Sequence, residues 1–168
     1  MDYLDSTNKL VTAAEPRWIT SPKRIRAFLG GECVVDSVNA KLLRRAGPPQ
    51  YFFDKADCRP GALVETKESV TDRVGTFVKF DVHSGSNVAK DGAFEYQETA
   101  KEFQFLLGFV SFRWPSMTAW FEEDEEVFVH ARDPFKRIEA VSSLRQVQII
   151  HNGQHLAESR SSVLLIEP

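Results

Sequence analysis

The stretch Lys23-Arg24-Ile25-Arg26-Ala27-Phe28-Leu29-Gly30-Gly31-Glu32-Cys33-Val34-Val35-Asp36-Ser37 decides the fold class. Two strand-like runs, the second rich in Val, flank a pair of glycines. Adjacent residues that accept positive φ are what a tight hairpin turn demands if its twist is to match the strands on either side. Residues 23–29 therefore pair back on 32–37. Ala40 to Arg45 continues as a further strand, Gly47-Pro48-Pro49 breaks it, and the aromatic run Tyr51-Phe52-Phe53 follows.

Outward from this hairpin the pattern stays β. Residues 54–73 are polar with Pro60-Gly61 in the middle, which predicts a long loop. Gly75 to Val82 alternates Thr76, Val78, Phe80 and Val82 against Phe77, Lys79 and Asp81, the two-residue period of a strand. His83-Ser84-Gly85-Ser86 turns it, and Asn87 to Tyr96 pairs back. Glu98 to Phe105 fits a short helix or an irregular link before an apolar strand from Leu106 to Trp114. Ser116 is placed to cap one helical turn through Trp120-Phe121, its hydroxyl accepting from the unpaired N–H groups of a new helix. The acidic run Glu122 to Glu126 comes next. Val127 to His130 resumes a strand, and Arg132-Asp133-Pro134 turns it.

Sliding the sequence by 122 residues places Ser21 on Ser143, Gly31 on Gly153, Ser37 on Ser159 and Leu42-Leu43 on Leu164-Leu165. The pattern is retained as well: Ile25 falls on Val147, Gly30-Gly31 on Asn152-Gly153, Val34 on Leu156 and Asp36 on Glu158. Gly-Gly and Asn-Gly are both chemistries of a primed hairpin turn. The expected organisation is an N-terminal leader at 1–16, a complete β unit at 17–136, and at 137–168 the C-terminal hairpin of a partial second unit. That hairpin packs on the open edge of the first unit or swaps into a partner, since an unpaired edge invites pairing. The fold class is mainly β: a compact antiparallel unit, barrel-like or tent-like, with a partial second copy and few short helices.

At 168 residues and 42% apolar content the chain can bury a core without disulfides or a structural metal. A net charge of −3 lacks the basic excess that neutralises a phosphate backbone, so nucleic acid is not an expected partner. Cys33 and Cys58 form no C-x-x-C pair, and no apolar run approaches the roughly 20 residues of a membrane span. The location these features imply is cytoplasmic, with reduced thiols and no membrane contact.

The run from Trp120 through Glu122-Glu123-Asp124-Glu125-Glu126 to His130-Ala131-Arg132-Asp133-Pro134-Phe135 resembles the signature of the domain of unknown function 427 family. The resemblance extends through Leu107 to Phe112, Phe94-Glu95-Tyr96 and Pro48-Pro49-Gln50-Tyr51-Phe52, covering roughly residues 17 to 168. It implies a compact β-rich unit, often in tandem, and the label nucleotidyltransferase travels with it. The chain departs from the family pattern at Thr71-Asp72-Arg73-Val74-Gly75, where many members carry Cys-Pro-Tyr-Lys-Gly.

Candidate catalytic residues are His130, Arg132 and Asp133. A histidine titrates near neutral pH, and an adjacent arginine can clamp an anionic group; the structural alternative has Arg132 and Asp133 locking the turn and His130 hydrogen-bonded in a strand. Candidate ligand contacts are Tyr51, Trp114, Trp120 and Glu125, the aromatics lining an apolar pocket or else filling core. The acidic run reads as a divalent-cation site or a solvated turn. Consecutive carboxylates diverge, so no metal and no cofactor are expected. Three functions stay open: an acid–base enzyme acting on a small molecule, a non-catalytic ligand-binding or dimer-assembly module, and a Mg-dependent nucleotidyltransferase.

Overall fold

A computed structural model describes residues 16–45, 47–135 and 138–167. The expected leader at 1–16 lies, but for Pro16, outside the described residues. Strand accounts for 59% of the structure and helix for 8%, in antiparallel sheets, so the protein is mainly β. Of the two shapes expected, the barrel is not adopted: the sheets do not close.

The founding hairpin is β2 (Ile25–Leu29) and β3 (Glu32–Ser37), turned by Gly30 and Gly31 at φ 60 and 85. Gly30 and Gly31 both lie in the left-handed region, as the turn type requires. β1 (Arg17–Thr20) pairs with β4 (Lys41–Arg44), and β4 pairs in turn with β5 (Gln50–Asp54). A meander follows, made of β6 (Leu63–Thr71), β7 (Gly75–Ser84), β8 (Asn87–Thr99) and the short β9 (Phe109–Phe112). These seven form one sheet in the order β1-β4-β5-β9-β8-β7-β6. A second sheet has the order β11-β10-β2-β3, where β10 is Ala119–Glu122 and β11 is Glu125–Glu126.

Alternation along the strands of the larger sheet splits the core in two. Leu42 and Phe53 enter a cluster with Ile25, Val34, Phe112 and Trp120, whereas their neighbours Leu43 and Phe52 join Phe94, Tyr96 and Leu106 in another. Successive side chains of a strand point to opposite faces, so the sheet is covered on both. The 3-10 segment Lys101–Leu106 resolves the ambiguous link and caps the second cluster with Phe103 and Phe105.

Three expectations are corrected. The loop expected over 54–73 holds a 3-10 turn at Lys55–Asp57 and the nine-residue strand β6. β6 is the edge of its sheet and is exposed along most of its length, so neither face selects for apolar residues and no period shows. A register shift between Glu65 and Ser69, with Lys67 at φ 62, bulges it. Ser116 caps no helix through Trp120-Phe121. It ends a 3-10 turn at Trp114–Ser116, and Trp120 and Glu122 instead alternate inward along β10. Residues 127–131 are irregular rather than a strand, so the hydrogen-bonded strand position considered for His130 does not exist.

The last segment holds four strands: β12 (Glu139–Ser143) pairs with β15 (Ser162–Ile166), and β13 (Val147–His151) pairs with β14 (Gln154–Ser159). Moved by 122 residues, the pair Arg17↔Arg44 becomes Glu139↔Ile166 and Ile25↔Ser37 becomes Val147↔Ser159. The bulge between Ala27 and Phe28 recurs between Ile149 and Ile150. The turn recurs too, with Asn152 and Gly153 at φ 47 and 78.

Candidate functional site

The break at Pro48-Pro49, the start of β5 and the end of β9 converge on the irregular segment after β11. Together they enclose a cavity of about 250 Å³ lined by Pro48, Pro49, Gln50, Tyr51, Phe112, Trp114, Trp120, Val129 and His130. Its wall is a pair of stacked indoles: Trp114 and Trp120 lie 4.5 Å apart and 6° from parallel. The Trp120 Nε1–H donates to the Trp114 carbonyl at 3.2 Å, and the Trp114 Nε1–H donates to the Phe128 carbonyl at 3.4 Å. The stack is thereby held edge-on by backbone acceptors. A smaller cavity of about 140 Å³, lined by Met117, Thr118, Val127 and Phe128, lies against the same two indoles. Phe128 and Val129 beside it are exposed.

His130 is half-buried. Its Nδ1 lies 2.7 Å from the Ala131 carbonyl, a contact that can only form with Nδ1 as donor. A neutral ring so held carries its lone pair on Nε2, the tautomer suited to accept a proton. Tyr51 is buried, and its hydroxyl donates to Glu122 Oε1 at 3.0 Å. Burial first, then the Glu122 charge, pushes the Tyr51 phenol well above its ordinary value, so it stays protonated as a donor.

Glu122 opens onto a buried ionic network behind the pocket. Its carboxylate also accepts from the Arg132 N–H at 2.8 Å and from Lys23 Nζ at 2.6 Å. Lys23 Nζ bridges further to Glu139 on β12. The Arg132 guanidinium donates to Glu125 at 3.2 Å and lies 4.0 and 3.9 Å from Glu122 and Glu139. Next to it, Glu123 accepts from the Arg24 N–H at 2.6 Å, from Ser143 Oγ at 2.7 Å and from Arg145 Nε at 3.0 Å. Glu122 and Glu123 are each 1% exposed, so the first part of the acidic run is neither a solvated turn nor an open set of oxygens. Its carboxylates meet cations and N–H donors, as buried charges must.

The structure thus brings Tyr51, Trp114, Trp120 and His130 to one cavity. Arg132 and Glu125 pair with each other in the ionic network, and Asp133 accepts from Arg44 Nε at 3.1 Å and from the Phe135 N–H at 3.0 Å. Sequence reasoning missed Lys23, Glu123 and Glu139, and treated Pro48-Pro49 as a break only. The one usable signal was the alternation Trp120-x-Glu122, which puts that carboxylate on the buried side of β10. Nothing in the sequence links Lys23 to residues about 100 positions away.

The arrangement defines a class: a β protein whose two sheets and following loop form an aromatic pocket backed by a neutralised ionic network. Residues 17–123 match the family described as Domain of unknown function (DUF427), and the chain belongs to that family. No curated protein matches it. Among the described residues no helix is long and apolar enough to cross a membrane.

Proposed function

We propose that this protein binds a small, planar, largely apolar molecule carrying one hydrogen-bonding group, with the ring against the Trp114–Trp120 stack and the polar group at His130. The observation that carries this reading is the parallel indole pair walling a cavity that also contains His130. Flat apolar walls with one convergent polar group are the usual composition of a small-molecule site. Two features support an intracellular setting. Both thiols are unpaired, and burial pushes the Cys58 thiol up to about 12 and raises that of Cys33. They are inert thiols, neither bridges nor nucleophiles.

The test is a thermal-shift and native mass-spectrometric survey with aromatic metabolites, with and without Mg²⁺. An aromatic ligand at a hundred times its Kd is expected to stabilise the fold by about 2.7 kcal/mol, roughly 5–10 °C. Trp114→Ala, at a half-buried position, abolishes that shift. Failure of every aromatic ligand, or a shift that survives Trp114→Ala, overturns the reading. A response only to nucleotide with Mg²⁺ would support the transferase label instead, against the engagement of Glu122 and Glu123 by Lys23, Arg132 and Arg145.

A second reading is favoured by one observation, the Nδ1 bond of His130 to Ala131, which leaves Nε2 basic. In that reading His130 moves a proton on the bound molecule, and the protein is an acid–base enzyme rather than a binding module. His130→Gln is then expected to abolish turnover while keeping the ligand-dependent thermal shift.

A further inference from the structure

The indole and phenol donors around the larger cavity are already committed inside the protein. The Trp120 Nε1–H donates to the Trp114 carbonyl, the Trp114 Nε1–H to the Phe128 carbonyl and the Tyr51 hydroxyl to Glu122. A bound molecule that only accepts hydrogen bonds therefore finds none of them free. Two other polar side chains line the cavity, Gln50 and His130. The Gln50 amide offers a donor and an acceptor alike, whereas His130 is fixed in one sense. Its Nδ1 is turned to the Ala131 carbonyl at 2.7 Å, and its Nε2 has no hydrogen-bond partner among the described residues. The opposite tautomer would set a ring lone pair against that carbonyl oxygen.

What strengthens this choice lies one peptide further on. The Ala131 carbonyl that accepts from Nδ1 and the Arg132 N–H that donates to Glu122 Oε1 at 2.8 Å belong to the same peptide group. Donation to a carboxylate draws negative charge onto the carbonyl oxygen of that group and makes it a stronger acceptor for the imidazole proton. Water does not dilute the effect, since Ala131 is 0% and Glu122 1% exposed. Lys23 Nζ holds the other Glu122 oxygen at 2.6 Å, so the carboxylate keeps its place. A buried carboxylate thus stands behind the imidazole with a single amide between them.

Resting on the pocket reading above, we propose that Glu122 is a positioning residue which, through the Ala131–Arg132 peptide, locks His130 with Nε2 as acceptor, so that the site selects planar rings whose polar group is a donor, a phenol or a ring N–H, over rings that only accept. The selection is the same whether the protein only binds such a molecule or goes on to take its proton.

Indole and benzofuran are the probes, alike in shape but differing by an N–H in place of a ring oxygen. Calorimetric titration at about pH 8.5, where a free imidazole is neutral, compares them. Indole is expected to bind at least about tenfold tighter, because benzofuran leaves Nε2 desolvated and unpaired. His130→Leu removes that preference while both rings still bind. Long-range proton–nitrogen NMR of the wild-type imidazole is expected to show the Nδ1–H tautomer of His130. Glu122→Gln, which keeps the shape of the acceptor without its charge, shifts the population toward Nε2–H and narrows the preference, changes that a purely structural role would not produce. A folded Glu122→Gln protein with an unchanged tautomer overturns the role given to Glu122. Equal binding of the two rings, or a wild-type His130 protonated on Nε2, overturns the inference, and neither result needs that variant to fold. Wild-type protein that binds neither ring overturns the pocket reading instead, and this inference falls with it.

Discussion

The segments 17–44 and 139–166 have the same strand order, the same register and the same bulge, but the hairpin β2–β3 is buried where its counterpart β13–β14 is exposed. Their difference separates two levels of structure that usually arrive together. Turn chemistry and alternation are local, so Gly30-Gly31 and Asn152-Gly153 build the same hairpin whether or not anything lies on top of it. Burial is supplied from elsewhere, and among the described residues β5 and β10 pair with the first set while β13 pairs only with β14 and β15 only with β12. Even side-chain pairs recur across the repeat: Arg24 donates to Asp36, and at the corresponding places Gln146 donates to Glu158. The second version has lost the cation.

Matched substitutions at equivalent positions test this difference. Lys23 and Arg145 occupy equivalent positions and serve neighbouring carboxylates. Lys23→Ala leaves Glu122 and Glu139 facing each other at 1% and 7% exposure, and is expected to cost about 4 kcal/mol. Arg145→Ala leaves Glu123 its bonds from Arg24 and Ser143, and is expected to cost about 1–2 kcal/mol. Urea denaturation measures both; equal losses would mean that the two carboxylates are held alike.

Next comes the core. Ile25→Ala opens a cavity in the core cluster that also holds Trp120 and is expected to cost about 3 kcal/mol, whereas Val147→Ala, on the exposed β13–β14 hairpin, costs under about 0.5 kcal/mol. A large loss at Val147 would show that something covers it.

The smallest effect is a pH dependence. The Arg24 guanidinium holds the Asp36 carboxyl below its ordinary value of 3.8. A depressed folded pKa stabilises above the unfolded value and is lost as pH falls through the folded one, so the contribution fades below about pH 4. Arg24→Gln writes the second copy's pair into the first. It is expected to flatten that acid limb and to cost about 0.5 kcal/mol or less at neutral pH, because the pair is more than a third exposed and screened by solvent. Urea midpoints compared between pH 3 and pH 7 read it out.

Much of the fold was legible because its strands carry strong local signals. The hairpin at 23–37, the break at Pro48-Pro49 and the alternation of Gly75 to Val82 each announce themselves within a dozen residues. β6 did not, since an edge strand in water has no buried face to impose a period. The segment at 127–131 misled in the opposite direction: Val127-Phe128-Val129 looks like strand, yet Phe128 and Val129 point into solvent beside the pocket. At the site, Tyr51, Trp114, Trp120 and His130 were nameable as residue types suited to a pocket. The sequence held no reason for them to share one while Arg132 and Asp133 turned to other partners.

The β class, the duplicated strand pattern and the residue types available for chemistry are written locally, because turn residues and two-residue alternation act over a few neighbours. Packing buries Glu122 and Glu123, stacks two indoles in the wall of one cavity, and covers the β2–β3 hairpin while the β13–β14 hairpin faces water. Those outcomes rest on contacts between elements, as far as 99 positions apart for Lys23 and Glu122, and their energies depend on desolvation, which is a property of the packed chain rather than of any stretch of it.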